Sequence, residues 1–274
     1  MEVIIFMLPA FMAALVIAGI HCYLGLHIVS RGIIFIDLSL AQIAALGYAI
    51  ALILGYHIGD WQAIFMALVF AVIGSLLFSY AQPLERRIPL EAVIGIGYVV
   101  AAAAAVLVLS FSSSGTEDFE KLAMGNILVV SWHDITKTIV IYAGVGLLHW
   151  FYRKKFMEAT FNRACTRSKL WDFLFYLSLG VVVTYSVAIA GVLLVFSYLV
   201  IPAVCALIFC DTIKTRLICG WLVGFIISAL GLLISFKFDL PTAPAITVCF
   251  GILFIVIALA GLKMGRYNGN GACR

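Results

Sequence analysis

The chain has 274 residues, 65% hydrophobic and 11% charged, with a net charge of +4 and a mean hydropathy of +1.19. Soluble domains run nearer half apolar and a quarter charged, so a water-soluble fold is excluded. An outer-membrane barrel is excluded because its strands are short and alternate polar with apolar residues, and the small net charge gives no reason to expect nucleic acid as a partner.

A helix that crosses a bilayer needs about 20 predominantly apolar residues. Apolar windows bounded by charges and turn residues predict nine helices within one transmembrane domain covering residues 1–274. They lie at about 3–25, 33–56, 61–81, 90–112, 135–152, 171–189, 191–209, 217–235 and 243–262. The first window lacks a basic start and a small-residue cleavage site and exceeds a signal h-region, so it is expected to be a span. Only Ala190-Gly191 separates the sixth window from the seventh, so eight spans with one broken or re-entrant helix is the alternative.

With the C-terminus inside, five cytoplasmic connections (27–32, 82–89, 153–170, 211–216 and 263–274) hold fourteen of the 17 basic residues. Lys121, Lys137 and Lys237 alone fall outside them. The positive-inside rule then puts the C-terminus in the cytoplasm and, with nine spans, the N-terminus outside. The long outer connection 111–134 carries Glu117, Asp118 and Glu120, and serves either to dock a partner or as a solvated link. The seven cysteines form no CxxC pair and no Cys/His cluster, and are expected to act as small buried hydrophobes.

The chain has no P-loop or Gly-rich phosphate loop, so any ATP-driven work requires another chain to hold the nucleotide. Intramembrane protease patterns are absent as well, and an enzyme is not expected. Ionisable residues at membrane depth are read as few: Asp37 one turn into the second helix, Glu91 and Asp172 at inner helix ends, and no acid–histidine relay.

From Ile33 to Gln42 the second helix climbs about 14 Å, which puts Gln42 near the midplane with Ser39 three residues before it on the same face. These side chains either line a substrate path or hydrogen-bond neighbouring helices. In the seventh helix, which also carries Ser197, Pro202 lies about 16 Å from the outer end. It frees a carbonyl and bends the helix, either beside a path or simply for packing. The connection 153–170 is long enough for a short helix lying on the membrane face. Phe156, Met157, Phe161 and Leu170 are its candidate apolar anchors, and Arg163 and Arg167 stand at i,i+4. The alternative is that its cations only meet lipid head groups.

Several stretches, in chain order, carry a family pattern. Arg31, Asp37, Leu40-Ala41-Gln42 and Gly47 come first, then Glu91-Ala-Val-Ile-Gly95 and Met124-Gly-Asn-Ile-Leu-Val-Val-Ser131. Gly191-Val-Leu-Leu-Val, Leu199-Val-Ile-Pro-Ala203 and Asp239-Leu-Pro-Thr-Ala243 complete the series. Together they resemble the permease subunit of bacterial ABC importers for zinc, manganese and ferrous iron. The resemblance implies an all-α bundle of the type II ABC importer kind in the bacterial cytoplasmic membrane. It implies a homodimer working with two ATPase subunits, which bind ATP and Mg, and with an extracytoplasmic solute-binding protein. It also implies alternating access for a divalent transition metal along Asp37, Ser39, Gln42, Ser197 and Pro202, with Asp37 and Gln42 as transient metal ligands. Coupling to the ATPase would run through Phe161, Asn162, Arg163, Ala164 and Arg167. Two departures stand out. Gln42 replaces the family's midplane histidine, and Asp37 precedes it by five residues instead of four, a rotation of about 140°. In 158–168 only Asn162 and Ala164 match the family's ATPase-contacting run. The alternatives are a permease for a metal chelate or another small solute, and a secondary carrier or channel working without an ATPase.

Overall fold

Inside a bilayer each backbone polar group must be satisfied within its own segment, so the apolar runs become helices. The computed structural model describes residues 2–57, 60–81, 84–85, 87–111, 127–161 and 168–263. Among the described residues there are ten α-helices and no strand: α1 (Glu2–Arg31), α2 (Ile36–Ile53), α3 (Trp61–Ala81), α4 (Leu90–Leu109), α5 (Trp132–Phe151), α6 (Arg153–Phe161), α7 (Lys169–Ala190), α8 (Val192–Phe209), α9 (Ile213–Phe238) and α10 (Thr242–Lys263). All nine predicted windows are helical. Eight of these helices are long and apolar enough to cross a membrane. The remaining one, α5, has 20 residues, about 30 Å, but carries His133, Asp134, Lys137 and His149.

The boundaries show local chemistry at work. Thr212 and Thr215 form a capping box that starts α9 at Ile213, four residues before the predicted start. Ser131 and Asp134 form a second box at the start of α5, directly after the short 3-10 turn Ile127–Val129. At Gly191 the backbone takes φ 78°, where a side chain is strained, and that one residue divides α7 from α8 into two helices each long enough to span. The Asp239-Leu-Pro-Thr run is likewise a turn: Asp239 caps α9 in the left-handed region, and Ser235 Oγ donates to the Leu240 carbonyl and lies 2.7 Å from Thr242 Oγ1.

The helices form two groups that meet along one core. Helix α2 packs on α3 and α4, and α3 packs on α7; α1 packs on α8 and α9, with α10 closing that group. Helix α5 joins them by resting on α1 and α7. Where helices lack a water-driven force to associate, small residues let their backbones approach closely. Gly25 does so here, since a Cβ there would collide with the Leu199 carbonyl of α8.

Arg31 departs from its predicted place. It stands in the last turn of α1 instead of a cytoplasmic loop, buried, with its guanidinium 2.7 Å from Asp172 on α7. One of the fourteen cations assigned to cytoplasmic connections is therefore a structural residue of the bundle.

Candidate functional site

Helix α2 begins at Ile36 without a side-chain cap from Phe35. Its neighbour supplies one: Glu91, in the first turn of α4, accepts the Phe35 N–H at 3.1 Å. That contact ties the start of α2 to the start of α4, and the first turns of the two helices carry the two acids of this region, Asp37 and Glu91. Within the first turn of α2, Ser39 faces α4, because its Oγ is 3.1 Å from where a Cβ on Gly97 would stand. A side chain there would press on Ser39 and on the Phe78 ring.

Asp37, Ser39 and Gln42 are all buried. Asp37 Oδ1, Ser39 Oγ, Gln42 Oε1 and Glu91 Oε2 have no hydrogen-bond partner among the described residues. A buried polar group left unmade costs about 1–3 kcal/mol, so several along one helix and its neighbour call for a functional explanation. Asp37 and Glu91 sit at the start of α2 and α4, and Ser39 and Gln42 lie further along α2. Among the described residues no three His, Cys, Asp or Glu side chains converge to hold a metal. The donors available are oxygens.

The remaining sequence-derived site residues have other neighbours. Ser197 Oγ donates to the Leu193 carbonyl at 2.9 Å and stands 3.5 Å from Thr247 Oγ1 on α10. Pro202 is buried with its carbonyl against Gly220 of α9. Among the described residues neither hydrogen-bonds to the α2–α4 oxygens.

The three histidines at membrane depth are the residues that the sequence reading missed. His21, His27 and His149 are buried in a polar seam between α1, α5, α6 and α7. Thr160 of α6 accepts from His27 Nδ1 at 2.7 Å and from Arg31 Nε at 3.1 Å, while donating to the Phe156 carbonyl at 2.9 Å. The Tyr23 hydroxyl donates to His149 Nδ1 at 3.2 Å, and His149 Nε2 donates to Ser178 Oγ at 2.8 Å. His21 Nδ1 donates to the Ile17 carbonyl at 2.8 Å, and its Nε2 lies 3.2 Å from Ser186 Oγ, which Tyr142 also engages. Both nitrogens of His21 and of His149 are thus committed within the bundle, which leaves neither with a lone pair for a passing ion. Sequence spacing holds no sign of this seam, because the partners that α1 contributes to it lie 126–165 residues from those on the other helices.

The segment 153–170 is helical over α6 and again from Lys169, where α7 begins, and the coupling residues expected at Asn162, Arg163, Ala164 and Arg167 lie outside the described residues. Phe156 is not the exposed anchor that was expected. It is fully buried and stacks on the His149 ring at 3.9 Å, since Phe156, Ala159 and Thr160 share one face of α6 turned to the core. Phe161 is 46% exposed at the free end of the same helix.

The sequence profile described as the ABC 3 transport family matches residues 4–261. Among curated proteins, the manganese transport system membrane protein MntC of Listeria monocytogenes is 23% identical over 267 residues, 95% of this chain and 92% of that one. The chelated iron transport system membrane protein YfeD of Yersinia pestis is 26% identical over 257 residues, covering 92% and 84% of the two chains. Among solved structures, PsaBC from Streptococcus pneumoniae in complex with Fab superposes with a TM-score of 0.76 at 22% identity, over 92% of this chain and 90% of that one.

Proposed function

This chain belongs to the ABC 3 transport family, and we propose that it is the membrane-spanning permease of an importer that moves a divalent metal ion past the oxygens of α2 and α4. It is a transport subunit and not an enzyme. The observation that carries the cargo assignment is the buried row of unpartnered oxygens at Asp37, Ser39, Gln42 and Glu91. Carboxylate and amide oxygens suit manganese, whereas zinc binds best where imidazole or thiolate is offered. With Gln42 in the place of the family's histidine, manganese or ferrous iron fits this path better than zinc, in keeping with the manganese and iron relatives. A loose set of ligands also suits conduction, which needs binding strong enough to admit an ion and weak enough to release it.

The working unit is two copies of this chain, two ATPase subunits that hold ATP and Mg, and an extracytoplasmic binding protein. Nine spans are completed by α5, whose polar residues Thr138, Tyr142 and His149 are buried against its neighbours instead of facing lipid. The loop cations then put the C-terminus inside and the N-terminus outside. In a cysteine-free background, a thiol reagent that cannot cross the membrane should label Asp239→Cys from outside intact cells, and Lys154→Cys only after the membrane is opened. The opposite pattern would reverse the topology.

Alternating access is driven from α6, which is tied to the bundle through Thr160. Phe161 is its exposed apolar end, and loss of an anchoring aromatic at an interface costs roughly 2 kcal/mol or more. Phe161→Ala keeps every basic residue, so insertion should be normal. ATPase co-purification and metal uptake should fall together. Full ATPase recovery with unchanged uptake would place the coupling surface elsewhere.

A further inference from the structure

Helices α5 and α9 both rest on α1, and a groove open to the outside of the bundle, with a volume of about 710 Å³, lies between them. Its walls are apolar along most of their length, with Val16 and Ile20 of α1 and Ile139 and Ala143 of α5 among them. Along α5 the groove runs from Ile139 to Trp150, eleven residues or about 16 Å. That is half of a hydrocarbon core about 30 Å thick, the depth of one leaflet. At one end the lining becomes basic: Arg153, the first residue of α6, and Lys214, in the first turn of α9, close the groove. Neither has a carboxylate partner among the described residues.

The same end has the features of a headgroup layer. Trp150, Phe151 and Tyr152 are exposed and run directly into Arg153, Lys154 and Lys155, and they border a second surface recess. Aromatic rings followed by cations mark the membrane–water boundary. Trp221, on the opposite wall, is held in place by its indole N–H donating to the Gly19 carbonyl at 2.8 Å. The N-termini of α6 and α9 both open at this end and add partial positive charge.

From the match of one-leaflet depth, apolar walls and a doubly cationic mouth, we infer that this groove seats one anionic phospholipid, with an acyl chain between α5 and α9 and its phosphate between Arg153 and Lys214. The lipid reaches the coupling machinery directly. Arg153 begins α6, and a cavity of about 90 Å³ that shares Tyr23, Lys214 and Leu217 with the groove continues to Met157 and Phe161. A phosphate there neutralises the cations at the root of the helix assigned to the ATPase contact, so the lipid composition of the membrane sets how firmly α6 is held. The leaflet concerned rests on the topology proposed above, but retention of the lipid does not depend on which leaflet it is, so the two fail separately.

The test is native mass spectrometry of the permease released from nanodiscs of equal phosphatidylcholine and phosphatidylglycerol. The wild type should keep phosphatidylglycerol in preference to phosphatidylcholine. Arg153→Gln and Lys214→Gln should each lower that retention about fivefold, the worth of one basic residue at a headgroup surface. Lys155→Gln is the control, because that ammonium stands 3.4 Å from Glu158 and does not line the groove; it should leave retention unchanged. Gly146→Trp keeps every charge and fills the groove, where a Cβ meets nothing within 4 Å. It should expel the lipid. Equal retention of the two lipids, or equal damage from Lys155→Gln and Arg153→Gln, would overturn the inference. A Gly146→Trp variant that keeps its lipid overturns it as well, and if that variant separates the permease dimer, the groove's occupant is a second copy of the chain.

Discussion

Asp172→Leu is expected to destabilise the bundle by about 3–5 kcal/mol, the usual result of removing one partner from a buried ion pair. The side chains of Arg31 and Asp172 are 0% and 2% exposed, and the Arg31 guanidinium also lies 4.0 Å over the Phe175 ring and bonds Thr160 of α6. Without Asp172 that enclosed cation loses the carboxylate 2.7 Å from it. Replacing both partners removes the charge together with its need for a partner, so Arg31→Met with Asp172→Leu should recover most of the loss. Thermal denaturation of the purified permease measures both variants. If the single change is as stable as the wild type, the pair does not hold α1, α6 and α7 together.

Asp37→Leu should do the reverse: transport lost, fold kept. Asp37 is 1% exposed and its Oδ1 has no partner, so its carboxylate costs the fold more than an apolar side chain of similar size. Thermal stability should hold or rise, while metal uptake falls by about tenfold or more, as for a roughly 1.4 kcal/mol loss at the point of passage. That opposition between stability and activity marks a residue retained for function. Unfolding with Asp37→Leu, or uptake that survives it, would make Asp37 a structural residue.

Much of the bundle is legible in the sequence because lipid leaves few alternatives: an apolar run of about 20 residues has to be a helix. The Gly191 break and the Ser131 and Asp239 turns use short-range chemistry, and three of the motifs that carried the resemblance, ending at Ser131 and starting at Gly191 and Asp239, fall on them. Gln42 and Ser39 were legible as buried polar side chains on one face of α2. The histidine seam was not, since each ring finds its partner on another helix and no local spacing marks it. Arg31 was misread for the same reason. The following Gly32 signals a chain turn, but the ion pair with Asp172, 141 residues away, keeps Arg31 inside the last turn of α1. Phe156 had a local signal that was overlooked: with Ala159 and Thr160 it forms the i, i+3, i+4 stripe of a buried helix face.

In the function proposed here, this chain passes an oxygen-ligated divalent metal under the drive of an ATPase. ATP-dependent uptake of manganese and zinc into vesicles, by the chain assembled with its ATPase and binding-protein partners, measures it most directly. If the proposed function holds, manganese accumulation should require ATP, exceed zinc by about tenfold and disappear with Asp37→Leu. Accumulation that proceeds equally without ATP, or no uptake of any divalent metal when ATP is hydrolysed, would contradict it.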